Sequence, residues 1–217
     1  MLGHSNTVWS LAFLDNGLTL ASTGEDGTVR LWSTATGEVR TLCERPNKLS
    51  CLLVCPDQTL AVGGWDDYVI ELWDLPTGRQ RLTLRGHQGP IAAMALMPGG
   101  EKLVTASWDG TVRLWDLKSD RHSEILTRHS DAIYTLVLSP DGTTLASGGL
   151  DGTVKLLDLN TRQPRLALKG HTGTVQGLAF STDGKLLVSG GGDTVRLWHA
   201  ATDEEVVAAD VPSMSAR

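Results

Sequence analysis

The sequence lacks three features that would place it on nucleic acid, in a membrane or in the secretory pathway. Its 217 residues carry 19 Lys and Arg against 25 Asp and Glu, a formal net charge of −6. Because nucleic-acid affinity depends largely on cationic neutralisation of phosphates, we expect no nucleic-acid partner. The chain has no apolar run of about 18 residues, and its start, MLGHSNTVWS, has neither the basic beginning nor the apolar middle of a signal peptide. We therefore predict a cytoplasmic protein without a membrane segment.

Cysteine is scarce, and the few cysteines present do not form a metal-binding pattern. Cys43, Cys51 and Cys55 are the three in the chain. On one strand, Cys51 and Cys55 would lie roughly 13 Å apart, too far for a shared zinc ion, and no nearby His completes a ligand set. We expect small, partly buried thiols, no cofactor and no metal. A chain of this length buries about 70% of its unfolded surface, so one domain is stable without metal or disulfides.

What the chain does contain is one motif repeated five times. The anchor positions Trp32, Trp73, Trp115, Leu157 and Trp198 are spaced by 41, 42, 42 and 41 residues. The string DGTVRLW occurs unchanged at 26–32 and again at 109–115. A period of about 40–45 residues is typical of the four-stranded blade of a β-propeller.

The third repeat shows the four strands most clearly. Its pattern predicts strands over 91–96, 103–107, 111–116 and 123–126. Turn residues separate them, and Asp109-Gly110 is a dipeptide suited to a type I′ hairpin, in which both central residues need positive φ. Such short spacing leaves no room for parallel βαβ crossovers, and a sandwich or barrel has no reason to repeat at this period. An all-β propeller is the remaining fold class.

The dipeptides Gly3-His4, Gly86-His87 and Gly170-His171, together with Trp73-Asp74 and Trp115-Asp116, resemble those of WD40 repeats. The resemblance runs from residue 2 to about 211, and the repetitive phrasing is similar to that of bacterial WD40 proteins. It implies a single domain, 1–217, of five four-stranded antiparallel blades. The repeats would span approximately 2–42, 43–84, 85–126, 127–168 and 169–211, with a tail at 212–217.

The resemblance also implies a buried hydrogen-bonded tetrad of Trp, Ser or Thr, His and Asp in each blade. The donors and acceptors of these four side chains can close in series. Ser, His and Asp together also suggest a catalytic triad, but the set recurs with every blade, includes a Trp and has no nucleophile elbow, so we expect no enzyme. Gly190-Gly191-Gly192 lacks the Lys and helix of a phosphate loop. The tetrad residues are His4, Ser22, Asp26, Trp32, His87, Thr105, Asp109, Trp115, His129, Ser147, Asp151, His171, Ser189, Asp193 and Trp198.

Three repeats depart from this pattern. Repeat two has Arg45 for His and Val62 for Ser or Thr, so its polar chain is expected not to form, and Asp66-Asp67-Tyr68 adds one residue that is typical of a bulge. Repeat four has Leu157 for Trp, so its Ser147 loses one donor. Repeat five lacks the turn Gly after Asp193, which shortens that hairpin by one residue.

Ring closure is the open question, because WD40 propellers most often have seven blades. Met1 and Leu2 alone precede Gly3-His4, too few for an N-terminal strand that completes the last blade, so Glu204–Val211 is expected to complete it. Five blades either close at about 72° each or keep about 51° and leave an open arc. We expect an open arc to associate with itself through its ends, to aggregate, or to belong to a longer chain.

In WD40 proteins, partners bind the top face at positions three and five after the His and just before the turn Asp. These positions predict binding of a protein or peptide, with Trp9, Lys48, Trp65, Trp108, Tyr134 and Leu150 as the principal contacts, since Trp and Tyr are enriched at hot spots. The simpler alternative is that each aromatic side chain covers its neighbouring blade. The leading function is a non-catalytic interaction scaffold, and the alternative is a regulatory or sensory segment of a larger protein such as a signalling kinase. The full set is Thr7, Trp9, Glu25, Lys48, Ser50, Trp65, Pro90, Ala92, Trp108, Ala132, Tyr134, Leu150, Thr174, Gln176 and Gly192.

Overall fold

A computed structural model describes residues 3–14, 17–118 and 123–200. Within them the regular structure consists of nineteen β-strands. Blades 1 and 2 contain β1 (Val8–Leu14), β2 (Thr19–Gly24), β3 (Thr28–Ser33), β4 (Val39–Glu44), β5 (Leu49–Cys55), β6 (Thr59–Gly64), β7 (Ile70–Asp74) and β8 (Arg79–Leu84). Blades 3 and 4 contain β9 (Ile91–Leu96), β10 (Lys102–Ser107), β11 (Thr111–Asp116), β12 (Ser123–Arg128), β13 (Ile133–Leu138), β14 (Thr144–Gly149), β15 (Val154–Asp158) and β16 (Pro164–Leu168). Blade 5 contains β17 (Val175–Phe180), β18 (Leu186–Gly191) and β19 (Val195–His199).

Each blade is an antiparallel meander in which neighbouring strands in the chain are hydrogen-bonded neighbours in the sheet. The predicted all-β propeller architecture is confirmed, and in blade 3 the strands 91–96 and 111–116 match the sequence prediction at both ends. The fifth sheet has three described strands. The predicted fourth strand, Glu204–Val211, lies outside the described residues. No helix in the described part of the chain is long and apolar enough to cross a membrane.

The hairpin between β10 and β11 differs from the type I′ turn that the sequence predicted. Gly110 has φ 75°, but Asp109 is not among the residues with positive φ. The Gly110 N–H donates to the Ser107 carbonyl at 3.2 Å, which closes a turn over residues 107–110. Within this turn only Gly110 takes the left-handed conformation. This is the pattern of a longer hairpin loop that ends in a left-handed glycine.

In blade 2 the extra residue lies in the loop between β6 and β7, rather than in a bulge of the paired strands. Gly63 pairs with Ile70, and the ladder between β6 and β7 continues without a register shift. Tyr68 adopts a positive φ of 60°, and the Gly64 N–H closes the loop on the Val69 carbonyl at 2.8 Å.

The hydrophobic core consists of four clusters, one between each pair of neighbouring blades. In every cluster, the blade that comes earlier in the chain contributes one face, which we call its trailing face. The blade that follows contributes its opposite face, which we call its leading face. Between blades 1 and 2, for example, Val29 and Leu31 of the trailing face pack with Leu49 and Leu52 of the leading face. The alternation of side chains along each strand is what gives one blade two apolar faces.

The series of blades forms an open arc. The innermost strands pack in succession, β1 on β5, β5 on β9, β9 on β13 and β13 on β17. Comparable packing of β17 against β1 is absent among the described residues. Of the two outcomes that the sequence left open, closure through the inner strands is therefore not the one observed.

Candidate functional site: the top face and the hydrogen-bonded tetrads beneath it

The structure joins the four tetrad residues of blade 1 in one chain of hydrogen bonds. The Trp32 indole N–H donates to Ser22 Oγ at 2.7 Å, and Ser22 Oγ lies 2.7 Å from His4 Nε2. His4 Nδ1 lies 2.9 Å from the Asp26 carboxylate. Because carboxylate only accepts, the Nδ1–H donates to Asp26, and in the neutral imidazole Nε2 then accepts from the serine hydroxyl, whose oxygen accepts from the indole.

Blades 3 and 5 repeat this chain. In blade 3 the Trp115 indole donates to Thr105 Oγ1 at 2.8 Å, Thr105 lies 2.7 Å from His87 Nε2, and His87 Nδ1 lies 2.8 Å from Asp109. In blade 5 the corresponding distances are 2.8 Å from Trp198 to Ser189, 2.7 Å from Ser189 to His171 and 2.6 Å from His171 to Asp193.

In blade 4 the chain is shorter by one member. His129 lies 2.8 Å from Ser147 and 3.1 Å from Asp151, while Leu157 occupies the anchor position as a buried apolar side chain. Burial lowers the pKa of His129, although Asp151 acts in the opposite direction. The neutral ring that this favours is the form that can donate through Nδ1 and accept through Nε2.

The aspartates close each chain at the turn between the second and third strands. Asp26 also accepts from the Thr28 N–H at 3.0 Å and from the Thr28 hydroxyl at 2.8 Å. Burial raises the pKa of Asp26, but the hydrogen bonds from His4 and Thr28 outweigh it and bring the pKa to about 2. The carboxylate of Asp26 is therefore held in its charged form, in which it fixes the turn and the orientation of the His4 ring.

Blade 2 corrects the prediction that its polar chain cannot form. The Trp73 indole donates to Glu71 Oε2 at 3.1 Å, and the Arg45 guanidinium forms ion pairs with both Glu71 and Asp67. Glu71 was not among the residues predicted from the sequence, although the sequence contains a signal for it. The residue two before the anchor is Arg30, Arg113, Lys155 or Arg196 in the other repeats. In blade 2, Arg45 therefore takes the place of the His, and Glu71 takes the place of the basic residue two positions before the anchor.

The three cysteines lie within the β-sheet of blades 1 and 2. Cys43, Cys51 and Cys55 are free and buried. Burial raises the pKa of Cys43 and Cys51 to about 12 and that of Cys55 to about 11, so the thiols stay protonated and unreactive. No group of three or more metal-ligating side chains occurs among the residues that the structure describes.

Four of the predicted partner-binding side chains touch one another across four blades. The ring centroids of Trp9 and Trp65 are 4.9 Å apart, those of Trp65 and Trp108 are 4.5 Å apart, and those of Trp108 and Tyr134 are 5.1 Å apart. We call these four side chains the aromatic row. Trp9 is exposed at the end of the row, and the other three are half-buried.

Backbone hydrogen bonds hold the top-face loops in the same way in every blade. The N–H of the residue before the turn Asp donates to the carbonyl of the residue three after the His position. Trp65 donates to Lys48 at 2.9 Å and Trp108 to Pro90 at 3.0 Å. The equivalent pairs in the other blades are Glu25 with Thr7, Leu150 with Ala132 and Gly192 with Thr174.

The remaining predicted contact residues differ in their exposure. Leu150 is exposed, and Lys48 is exposed with its Nζ 3.3 Å from Glu25 of the preceding blade. Ser50 and Ala132 are buried, and Ser50 Oγ donates to the Ile91 carbonyl at 2.6 Å. These two side chains therefore do not take part in an exposed binding surface.

Blades of antiparallel strands, innermost strand first, with a hydrogen-bonded chain of Trp, Ser or Thr, His and Asp in blades 1, 3 and 5, define the class of a WD40-type β-propeller. The WD40 family model, described as "WD domain, G-beta repeat", matches residues 1–33, 78–116, 121–158 and 162–199. These matches cover more than half of the chain, and the chain belongs to the WD40 repeat family.

Three curated relatives illustrate the similarity. The chain is 29% identical over 155 residues to the periodic tryptophan protein 2 homolog of Dictyostelium discoideum, which covers 49% of the chain and 17% of that protein. It is 35% identical over 101 residues to coronin-7 of Mus musculus, covering 42% of the chain and 11% of that protein. It is 35% identical over 88 residues to the angio-associated migratory cell protein of Homo sapiens, covering 39% and 20%.

The chain therefore spans a fifth or less of the length of these relatives. All three come from eukaryotes, so they give the expected resemblance to bacterial WD40 proteins no support.

Proposed function

We propose that this chain is a non-catalytic interaction module that binds a protein or peptide through the aromatic row on its top face. The observation that carries the proposal is the unbroken ring contact from Trp9 through Trp65 and Trp108 to Tyr134. Trp and Tyr are the side chains most enriched at binding hot spots because they offer large contact area with few rotatable bonds.

The polar residues beneath the row support this assignment. The tetrads join each turn to its neighbouring strands, and the loop hydrogen bonds fix the backbone on which Trp65 and Trp108 stand. A rigid support lowers the entropy lost when a partner binds. In blades 1, 3 and 5 the tetrad hydroxyl also accepts a hydrogen bond from the Trp indole, which supports a structural role for these side chains.

The side chains around the row favour a partner segment that is largely apolar and that carries charged groups of both signs at its edge. Leu150 extends the apolar surface, while Lys48 and Glu25 form an ion pair at its edge. The alternative, that the aromatic side chains only cover neighbouring blades, predicts no partner at all. The two hypotheses predict different effects on partner binding when an aromatic side chain is removed and the protein stays folded.

A selection from a displayed random-peptide library tests the proposal. Peptides selected on the wild-type chain are titrated against Trp9→Ala and Trp108→Ala, with Leu166→Ala, an exposed side chain on blade 4, as the matched control. We expect at least a tenfold loss of affinity for the two Trp variants and none for the control, with unchanged circular dichroism for all three. Equal affinities of the Trp variants and the wild type would refute the proposal.

A second candidate function is a regulatory or sensory segment of a larger protein, such as a signalling kinase. The specific support is that the relatives are much longer than the aligned stretch, which is 17% of the Dictyostelium protein. An immunoblot of the source cells with an antibody against the chain separates the two. A band near 23 kDa favours the stand-alone module, and a much larger band favours the segment.

A further inference from the structure

Among the residues that the structure describes, no blade packs in front of the leading face of the first blade. Val8 is 43% exposed, whereas its equivalents Leu49, Ile91, Ile133 and Val175 are buried at 0–2% because the preceding blade covers them. Leu11 and Phe13, further along the same strand, are 60% and 65% exposed. An apolar face of this kind is the type of surface that soluble proteins normally cover.

The fifth blade exposes its trailing face to solvent in the same way. Val195 is 68% exposed, whereas its equivalents Val29, Ile70, Val112 and Val154 are fully buried. Leu197 is 62% exposed, and its equivalents Leu31, Leu72 and Leu114 are buried. A Cβ on Gly148 would meet Val175 of the next blade at 2.5 Å, while a Cβ on the equivalent Gly190 would meet nothing within 4 Å.

These two exposed faces are copies of the two halves of an interface that the chain already forms four times. Every internal cluster joins a trailing face to a leading face through the same positions. Within residues 3–14, 17–118 and 123–200, the trailing face of blade 5 packs against no leading face, and the leading face of blade 1 packs against no trailing face. The shape and chemistry that each end requires are therefore present on the other end of the same chain.

We propose that a second copy of this chain covers each end, with blade 5 of one copy packed on blade 1 of the next. The contact is heterologous, head to tail, and reproduces the internal contact between blades 4 and 5, in which Val154 and Leu156 meet Val175 and Leu178. A heterologous contact leaves one free end on each side of every assembly, so association continues beyond the dimer as concentration rises, unless a ring closes.

Sedimentation velocity of the purified chain over a hundredfold range of concentration is the first test. We expect species larger than the 23 kDa chain that grow with concentration. Leu11→Glu should abolish association through the leading end and Leu197→Glu through the trailing end, each giving a monomer. Leu166→Glu, exposed to a similar extent on the outer strand of blade 4, should leave association unchanged. Val8→Lys and Val195→Lys serve as second variants if either glutamate variant loses its circular dichroism spectrum.

Mixing the two single-end variants tests the head-to-tail geometry itself. The Leu11→Glu chain keeps an intact trailing end and the Leu197→Glu chain an intact leading end, so their mixture should form a complex of one copy of each and stop there. A wild-type chain that stays monomeric throughout overturns the proposal. So does self-association of either single-end variant, which would indicate contacts between identical ends, or a mixture that remains monomeric.

Discussion

Val175 on the innermost strand of blade 5 occupies the space beside Gly148 of blade 4. Its Cγ1 lies 2.5 Å from the position that a Cβ on Gly148 would take. The absence of a side chain at Gly148 is what lets these two blades approach. The equivalent position in blade 5, Gly190, faces no further blade, so the same residue type has two different environments in one chain.

This pair gives a matched stability prediction. Gly148→Ala should cost about 1–3 kcal/mol of unfolding free energy, because the new methyl group overlaps Val175 and the two blades must separate slightly. Gly190→Ala should change stability by less than about 0.5 kcal/mol or increase it slightly, since an alanine in a strand restricts the unfolded chain more than a glycine. Urea titrations at a concentration where the chain is monomeric measure both. Equal losses would mean that blade 5 does not pack on blade 4 as described.

The tetrad of blade 3 gives a second prediction. Trp115→Phe keeps most of the apolar contact but removes the indole N–H that donates to Thr105 at 2.8 Å. We expect a loss of about 1–3 kcal/mol of unfolding free energy, because the buried hydroxyl loses a partner. Trp108→Phe is the control, since no described hydrogen bond involves its indole. A loss for Trp115→Phe within the uncertainty of the denaturant titration would indicate that the hydrogen-bond chain contributes nothing to stability.

The ion-pair network of blade 2 gives a third prediction. Arg45→Met leaves Glu71 and Asp67 without their shared cation in a mostly buried site, and we expect a loss of roughly 2–4 kcal/mol. Adding Glu71→Gln to Arg45→Met should restore part of this, because one uncompensated charge is removed while an acceptor for the Trp73 indole remains. A double-mutant cycle from denaturant titrations measures the coupling.

The exposed ion pair of Lys118 and Glu101 is the control for the loss of stability expected in blade 2. Both side chains are more than half exposed and screened by solvent, so Lys118→Met should cost far less stability than Arg45→Met. If the Arg45 variant lost no more stability than this surface variant, the network of blade 2 would be a solvated contact and not a replacement for the tetrad.

The hydrogen-bonded pair of His129 and Asp151 in blade 4 predicts a loss of stability in acid. Burial raises the pKa of Asp151, but hydrogen bonds from Thr153 and His129 outweigh it and hold the pKa at about 2, below the ordinary value of 3.8. Burial also lowers the pKa of His129 from 6.5. In both cases the unfolded chain takes up a proton at a pH where the folded chain does not. The stabilisation is present above the unfolded pKa and is lost as the pH falls through the folded one.

Urea titrations between pH 7 and pH 3 test this linkage. The unfolding free energy should decrease from about pH 6.5 downward and more steeply below about pH 4. Asp151→Asn should flatten the part below pH 4, whereas Glu44→Gln, at an exposed carboxylate, should follow the wild type. An Asp151→Asn profile parallel to the wild type would show that this carboxylate is not a source of the acid sensitivity.

Local features explain which parts of the structure could be predicted. The strands 91–96 and 111–116 could be placed because a short apolar run in the first and alternating apolar residues in the second lie between turn residues, and these patterns depend on few neighbours. The type I′ prediction at Asp109-Gly110 failed because the dipeptide does not fix the length of the loop. The polar network of blade 2 was not predicted because repeat two was compared only with the His and hydroxyl positions of the tetrad, whereas the network also uses Glu71, two residues before the anchor Trp73.

The blade follows from the sequence alone, because its period, its turn glycines and its side-chain alternation all act within about forty residues. The packing of the blades on one another emerges only in three dimensions: Trp9, Trp65, Trp108 and Tyr134 form one row, and the described residues form an open arc with an apolar face at each end. These relationships depend on the rotation between neighbouring blades, which many side chains set jointly and no single repeat encodes.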